Sequence, residues 1–393
     1  MTRGRWRCWL AAMLAIALTA AAPAAAGPKT LLFGVSTPLT GAAAPPGRGT
    51  LRAMELAAED INAAGGIKAG DDTYTIKLVV YDSKYDTREG VSIANKLIFG
   101  DKVRHMITFG GTVTIAVDPI VTENRVLNFA AAYGGRKATN PASPYTFRVV
   151  PEPEQGYITL MPWIAKTYGL KTLAITSTDD ETGLLQADDA EREARQLGLA
   201  MTDKAFAPRG TPDFTPLMTK LLAKTPDAID FGAWAGSDGP VICRQTRELG
   251  YKGVLIFSYT QSVPTFLKMA PDCATGALFM NIFATPPTPL AERVATRYTA
   301  KYREPFDPLV WRQYDVLFVL KRAIELAGTT DPSRLKDVLR TVEIDGILGR
   351  VHVGGKSYYG IDAQFLYPIP LSTYSAKDGK WTELHRGMVP AGY

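Results

Sequence analysis

The sequence predicts an α/β protein of two doubly wound parallel-sheet lobes with a cleft between them. Short apolar runs alternate with stretches of helical periodicity, the alternation starts again near Glu154, and 393 residues exceed the ~150 of an average domain. Apolar residues make up 46% and charged residues 21%, ordinary globular usage that excludes a disordered chain.

Thr30 to Ser36 is an apolar run. After a loop of Gly, Ala and Pro, the positions Leu51, Met54, Ala58 and Ile61 recur at helical spacing between Arg48 and Ala64, and Gly65-Gly66 ends that helix. Tyr74, Ile76, Leu78 and Val80 alternate as in a strand, Val91, Ala94, Leu97 and Ile98 mark a helix, and Met106 to Phe109 and Val126 to Phe129 read as buried strands. A helix from Glu154 to Tyr168 opens the second rhythm. Strands Leu173 to Thr176, Met201 to Phe206, Ala228 to Phe231 and Val254 to Phe257 then alternate with helices Leu184 to Leu197, Phe214 to Lys224 and Pro240 to Leu249. Helices recur at Leu290 to Tyr302, Val310 to Ala327 and Ser333 to Thr341, and strand-like pieces close the chain. One lobe is expected to take residues 27–150 and 280–355, the other 151–279 and 356–393.

The first 26 residues read as an export signal. Arg3, Arg5 and Arg7 precede the apolar run Trp9 to Leu18, and small residues follow to Ala24-Ala25-Ala26, with cleavage expected before Gly27. The run is shorter than the ~20 residues of a membrane-spanning helix. Cys8 lies ahead of it, badly placed to carry a lipid, and Trp6 interrupts any twin-arginine pair. This segment holds three arginines and no acid, so its loss takes the formal charge from +5 to +2, too little for a nucleic-acid footprint. Cys243 and Cys273 remain in an oxidising compartment, and they read equally as one disulfide or as buried thiols. With three histidines and no Cys/His cluster at ligand spacing, neither a metal nor a cofactor is expected.

In open parallel sheets ligands bind beyond the carboxyl ends of strands, which directs attention to the loops after Ser36, Phe109, Phe129, Thr176, Phe231 and Phe257. After Phe109, Gly110-Gly111-Thr112-Val113-Thr114 opens a helix. Its glycines admit close approach and its free amides suit an anion, although a tight turn capped by Thr reads equally well. Ala132-Tyr133-Gly134 offers backbone beside an aromatic wall. Thr182, Trp234, Tyr259 and Thr260 stand in the strand-end loops of the second lobe, a mixture of aromatic and hydroxyl groups typical of small-molecule clefts, though each alone reads as packing.

Enzyme signals are weak. Ala235-Gly236-Ser237-Asp238-Gly239 has the outline of a nucleophile elbow, with His352 or His385 downstream, and makes an exported esterase a rival reading. Gly354-Gly355-Lys356-Ser357 lacks the first glycine and the following helix of a phosphate loop.

The stretch Phe33-Gly34-Val35-Ser36-Thr37-Pro38-Leu39-Thr40-Gly41, followed by Glu55-Leu56-Ala57-Ala58-Glu59-Asp60-Ile61-Asn62 and Gly65-Gly66-Ile67, resembles the opening of the branched-chain amino-acid (Leu/Ile/Val) binding proteins. The likeness continues in Tyr81 to Asp86, Ser143 to Arg148, Gly210 to Leu217 and Arg247 to Gly250. The resemblance implies a type I periplasmic binding protein: a monomer in the periplasm that captures a small amino acid, amide or carboxylate and delivers it to the membrane permease of an ABC importer, with an exported sensor of the same form as the alternative. It also implies that the ligand's α-carboxylate is held at the loop matching Thr112 to Thr114, with Thr114 as the hydroxyl position, and at Ala132 to Gly134. Aromatics that the family carries where Pro46 and Thr182 stand are absent, and Trp234 matches one of the second lobe. The family's acid for the ligand ammonium falls near Tyr259 or Thr260, neither of which is negative at neutral pH. Closing a cleft over an uncompensated ammonium costs roughly several kcal/mol, so the expected ligand is a carboxylate or amide without one.

Overall fold

The computed structural model describes residues 27–389 except 42, 134, 308 and 309. The expected export signal lies outside the described residues. The chain lays down β1 (Lys29–Thr37), β2 (Ile67–Ala69), β3 (Asp72–Asp82), β4 (His105–Phe109), β5 (Leu127–Ala131) and β6 (Thr146–Arg148). It then crosses to β7 (Thr172–Thr178), β8 (Ala200–Ala207), β9 (Ala228–Phe231), β10 (Val254–Phe257) and β11 (Leu278–Met280). It returns for β12 (Glu343–Gly346), β13 (Gly349–Gly354) and β14 (Gln364–Leu366), and crosses a last time for β15 (Ile369–Ser375) and β16 (Lys380–Gly387). The two sheets run β12-β13-β14-β6-β5-β4-β1-β3-β2 and β16-β15-β11-β10-β9-β7-β8. Their centres are parallel, and antiparallel pairs stand toward the edges.

Burial explains this arrangement. Helices cover both faces of each sheet, so the central strands carry continuous apolar runs, and every residue of β5 is buried. In the first lobe the Phe129 ring lies 6.1 Å from Phe33, 6.3 Å from Phe147 and 6.1 Å from Phe365. In the second, Phe257 stacks 4.8 Å from Phe279 and lies tilted 4.9 Å from Phe231. Each such ring contributes about 1.5–3 kcal/mol of burial.

The long periodic segments fall where the pattern places them, and the departures have local causes. The first helix begins at Ala44 and not at Arg48, because Pro45 and Pro46 occupy its first turn, where a missing N–H costs nothing. The strands β2, β6 and β11 have three residues each, too few to show a period. The lobe boundary expected at 355 moves: β13 and β14 remain in the first sheet, so the third crossing comes after Leu366. Buried polar groups hold the crossings, with Arg148 Nε donating to Gln364 Oε1 at 2.5 Å and Arg148 paired with Glu152.

His105 in β4 is buried, and that burial pushes its imidazole down to about 4. Its folded pKa therefore lies below the ordinary 6.5, so the unfolded chain binds the proton more tightly. The stability contributed by the neutral ring is complete above pH 6.5 and is lost as pH falls toward 4. We expect acidification to pH 5 to cost the protein on the order of 2 kcal/mol through this residue alone. Unfolding of wild type and His105→Leu at pH 7.5 and 5.0 tests this, and equal pH slopes would refute it.

Candidate functional site

Two helix starts meet between the lobes. In the first lobe β4 ends in Gly110, whose φ of +98° suits only glycine, and the helix Gly111–Glu123 begins at once. In the second lobe β7 leads to Asp180, which caps the helix Glu181–Gln196 by accepting from the Gly183 amide at 3.0 Å. A Cβ on Gly111 would stand 2.9 Å from Thr182 Oγ1 across the cleft and 1.9 Å from the Tyr133 carbonyl. The first amides of a helix have no carbonyl of their own helix to bond, and both macrodipoles present their positive ends here. Such a junction favours an anion.

Tyrosines surround it. Tyr133, after β5, packs against Tyr259, after β10, with ring centroids 4.2 Å apart and the rings tilted by 41°, and its hydroxyl donates to Thr260 Oγ1 at 3.0 Å. Burial raises the Tyr133 hydroxyl to about 12, against the pull of its Thr260 bond, and holds Tyr259 well above its ordinary value. Both stay neutral at physiological pH. Tyr85 leans edge-on to Phe109 at 6.2 Å, and its ring is what a Cβ on Gly110 would strike. Lys137 and Glu181 form an ion pair across the lobes at the rim.

Several expected residues converge here: Thr112 half-buried in the first helix turn, then Ala132, Tyr133, Thr182, Tyr259 and Thr260. Gly134 lies outside the described residues. Two expectations are corrected. Thr114 is fully buried, its hydroxyl 2.9 Å from Thr108 Oγ1, which in turn donates to Asn128 Oδ1 at 3.1 Å. Its oxygen is used inside the first lobe and leaves Thr112 as the hydroxyl of that turn. Trp234 is likewise fully buried, its Nε1 donating to the Thr176 carbonyl at 3.1 Å and its ring 4.9 Å from Phe214, so it belongs to the core of the second lobe.

Sequence reasoning missed Tyr85, Arg209 and the ionic state of Asp180. Arg209 follows β8, a strand end omitted from the inspected loops although the same rule covers it. Its Nε donates to Asp180 Oδ2 at 2.6 Å and a terminal nitrogen to the Ala233 carbonyl at 2.8 Å. Burial works to raise the Asp180 carboxyl, but the Arg209 charge and hydrogen bond, with those from Thr178 and Gly183, hold it below its usual range. Asp238 accepts from the Gly210 amide at 3.0 Å. Ser237 is exposed, and among the described residues no hydrogen bond joins it to His352 or to His385, which stacks on Trp163. No group of three metal-ligating side chains occurs among the described residues, and no helix there is long and apolar enough to cross a membrane.

The sequence matches the periplasmic binding protein family over residues 30–365. The chain belongs to that family. Periplasmic binding proteins of ABC transporters capture small solutes and work with membrane permeases, and membership implies a periplasmic location. A Leu/Ile/Val-binding protein homolog of Brucella melitensis is 26% identical over 311 residues, 79% of this chain and 83% of that protein. A solute-binding protein of an ABC transporter from Rhodopseudomonas palustris, solved with 3,4-dihydroxybenzoic acid, superposes with a TM-score of 0.78 at 19% identity, covering 92% of this chain and 98% of its own. The substrate-binding protein LivJ of Streptococcus pneumoniae, solved with isoleucine, gives 0.74 at 20% identity, covering 92% and 100%. These likenesses carry the fold of this periplasmic binding protein and leave its ligand to the chemistry of the cleft.

Proposed function

We propose that this chain is the exported solute-binding component of an ABC importer, that residues 1–26 are its export signal, and that its ligand is a small carboxylate without an ammonium group. The carboxylate sits where the two helix starts meet, within reach of Thr112 and Thr182. Its body lies among Tyr85, Tyr133 and Tyr259, which suits an aromatic or aliphatic skeleton. Ligand contacts to both lobes favour the closed form, which the permease then reads.

The observation that carries this reading is the pairing of Asp180 with Arg209 in the second-lobe wall. Asp180 is paired with Arg209, Asp238 is held by Gly210, and Tyr259 and Thr260 are uncharged. An ammonium would enter without a countercharge, at a cost of several kcal/mol, roughly a hundredfold or more in affinity. The solved Rhodopseudomonas palustris neighbour with 3,4-dihydroxybenzoic acid supports the class, and the isoleucine complex of LivJ marks the alternative. Mass spectrometry of copurifying ligand, followed by calorimetric titration with benzoate, 3,4-dihydroxybenzoate, benzamide and leucine, tests it. We expect a carboxylate to bind at least about a hundredfold tighter than leucine. Tight leucine binding with no affinity for the acids would overturn the reading.

A further inference from the structure

We propose that Arg209 is the specificity-determining residue of the cleft: by binding Asp180 it neutralises the carboxylate that caps the helix Glu181–Gln196 at the ligand's position, and so excludes α-amino acids. This rests on the reading of the cleft as a carboxylate site. Asp180 stands at the start of the helix Glu181–Gln196, two residues from Thr182, which faces Gly111 across the cleft. Left alone, an ionised carboxylate there would repel a ligand carboxylate from the shared anion seat and attract an ammonium. It is not left alone. Its Oδ2 accepts from Arg209 Nε at 2.6 Å, and its Oδ1 accepts from Thr178 Oγ1 at 2.8 Å and from the Gly183 amide at 3.0 Å.

Arg209 is fixed by a second anchor, the Ala233 carbonyl at 2.8 Å, and by Thr178 Oγ1 at 3.3 Å. Three directions are therefore set by the second lobe alone, so the pair is in place before any ligand arrives. The Arg209 charge favours ionisation of the Tyr85 and Tyr259 hydroxyls, but burial outweighs it and holds both above their ordinary value. The pair acts as a device against the wrong ligand more than for the right one. Discrimination of that kind comes from leaving an unwanted group, here an ammonium, without a partner.

Two matched pairs of probes isolate the ammonium: phenylalanine with 3-phenylpropanoate, and leucine with 4-methylpentanoate. Binding is measured by calorimetry on wild type, on Arg209→Met and Arg209→Gln (two uncharged side chains of different shape), on Arg209→Lys, and on Arg209→Met with Asp180→Asn. Wild type and Arg209→Lys should prefer the deaminated member of each pair. The uncharged variants should shift the ratio toward the amino acid by at least about tenfold, with an absolute gain in its affinity, and the double variant should lose that gain. A structural defect would weaken both members alike. A wild type that prefers the acids, with the ratio unchanged in the folded uncharged variants, overturns the role of Arg209 and leaves the carboxylate reading standing. If neither uncharged variant folds, a shift of the ratio toward the acids in Arg209→Lys, or none in Asp180→Asn alone, decides against it as well. A wild type that prefers the amino acids, or binds no member of either pair, overturns both.

Discussion

Gly111→Ala is expected to abolish most ligand binding while leaving a folded protein. The added Cβ would stand 1.9 Å from the Tyr133 carbonyl and 2.9 Å from Thr182 Oγ1, and the first of these is backbone, which cannot rotate away. Either the start of the helix Gly111–Glu123 or the loop after β5 must move, and both belong to the proposed seat for the ligand anion. The Thr182 contact adds a second penalty that exists only when the lobes are closed, so the variant is also biased toward the open form. Overpacking of about 1–3 kcal/mol translates into roughly a 10- to 100-fold loss of affinity, and two clashes place the expectation at the upper end. Gly100→Ala is the control. A Cβ there meets nothing closer than Lys96 Cγ at 3.9 Å, and its affinity should equal wild type. Calorimetry with whichever ligand copurifies reads both, and unchanged affinity in Gly111→Ala would remove this turn from the site.

How far the site was legible depends on whether a signal was local. The helices and central strands repeat their pattern over many residues, and the glycine pair at the start of the helix Gly111–Glu123 sits directly after an apolar run, so both are visible in the chain itself. The two hydroxyls of that turn are not separable in this way. Thr112 and Thr114 are two residues apart on a helix, hence on nearly opposite faces, and which face looks into the lobe is decided by Thr108 and Asn128 on neighbouring strands. Trp234 failed for a similar reason. A strand-end tryptophan can turn its apolar body to the core or the cleft, and the Thr176 carbonyl that accepts its Nε1 proton lies 58 residues earlier. Arg209 and Asp180 are 29 residues apart, and no periodicity links them. Their pairing exists only because β7 and β8 lie side by side. The absence of an acid at Tyr259 and Thr260 could be read from the sequence, but the pairing of Asp180 with Arg209 could not.

Breaking the Cys243–Cys273 bond is expected to have the largest effect on stability. The sequence left a disulfide and two buried thiols equally open, and the structure joins them across a separation of 30 residues. The bond ties the helix Asp238–Glu248 to the short helix Pro271–Ala274, and both cysteines are buried. Closing a loop of that length removes unfolded-state entropy worth about 3–4 kcal/mol, and for a chain of this size the corresponding fall in Tm is roughly 4–5 °C. Substitution and reduction separate two contributions. Reducing the wild type removes the cross-link alone, whereas Cys243→Ala with Cys273→Ala also leaves small cavities where the sulfurs were, so the double variant should melt slightly below the reduced protein. Neither treatment removes a group that faces the cleft, and ligand affinity near neutral pH should stay within about threefold of wild type, less than 1 kcal/mol. Melting curves of the oxidised protein, the protein reduced while unfolded, and the double variant test this, with thiol titration under denaturing conditions. Superimposable oxidised and reduced melts would show that the bond adds no stability. A large loss of affinity on reduction would show instead that the helix Asp238–Glu248, whose Asp238 holds the Gly210 amide beside Arg209, must be tethered for the second-lobe wall to keep its shape.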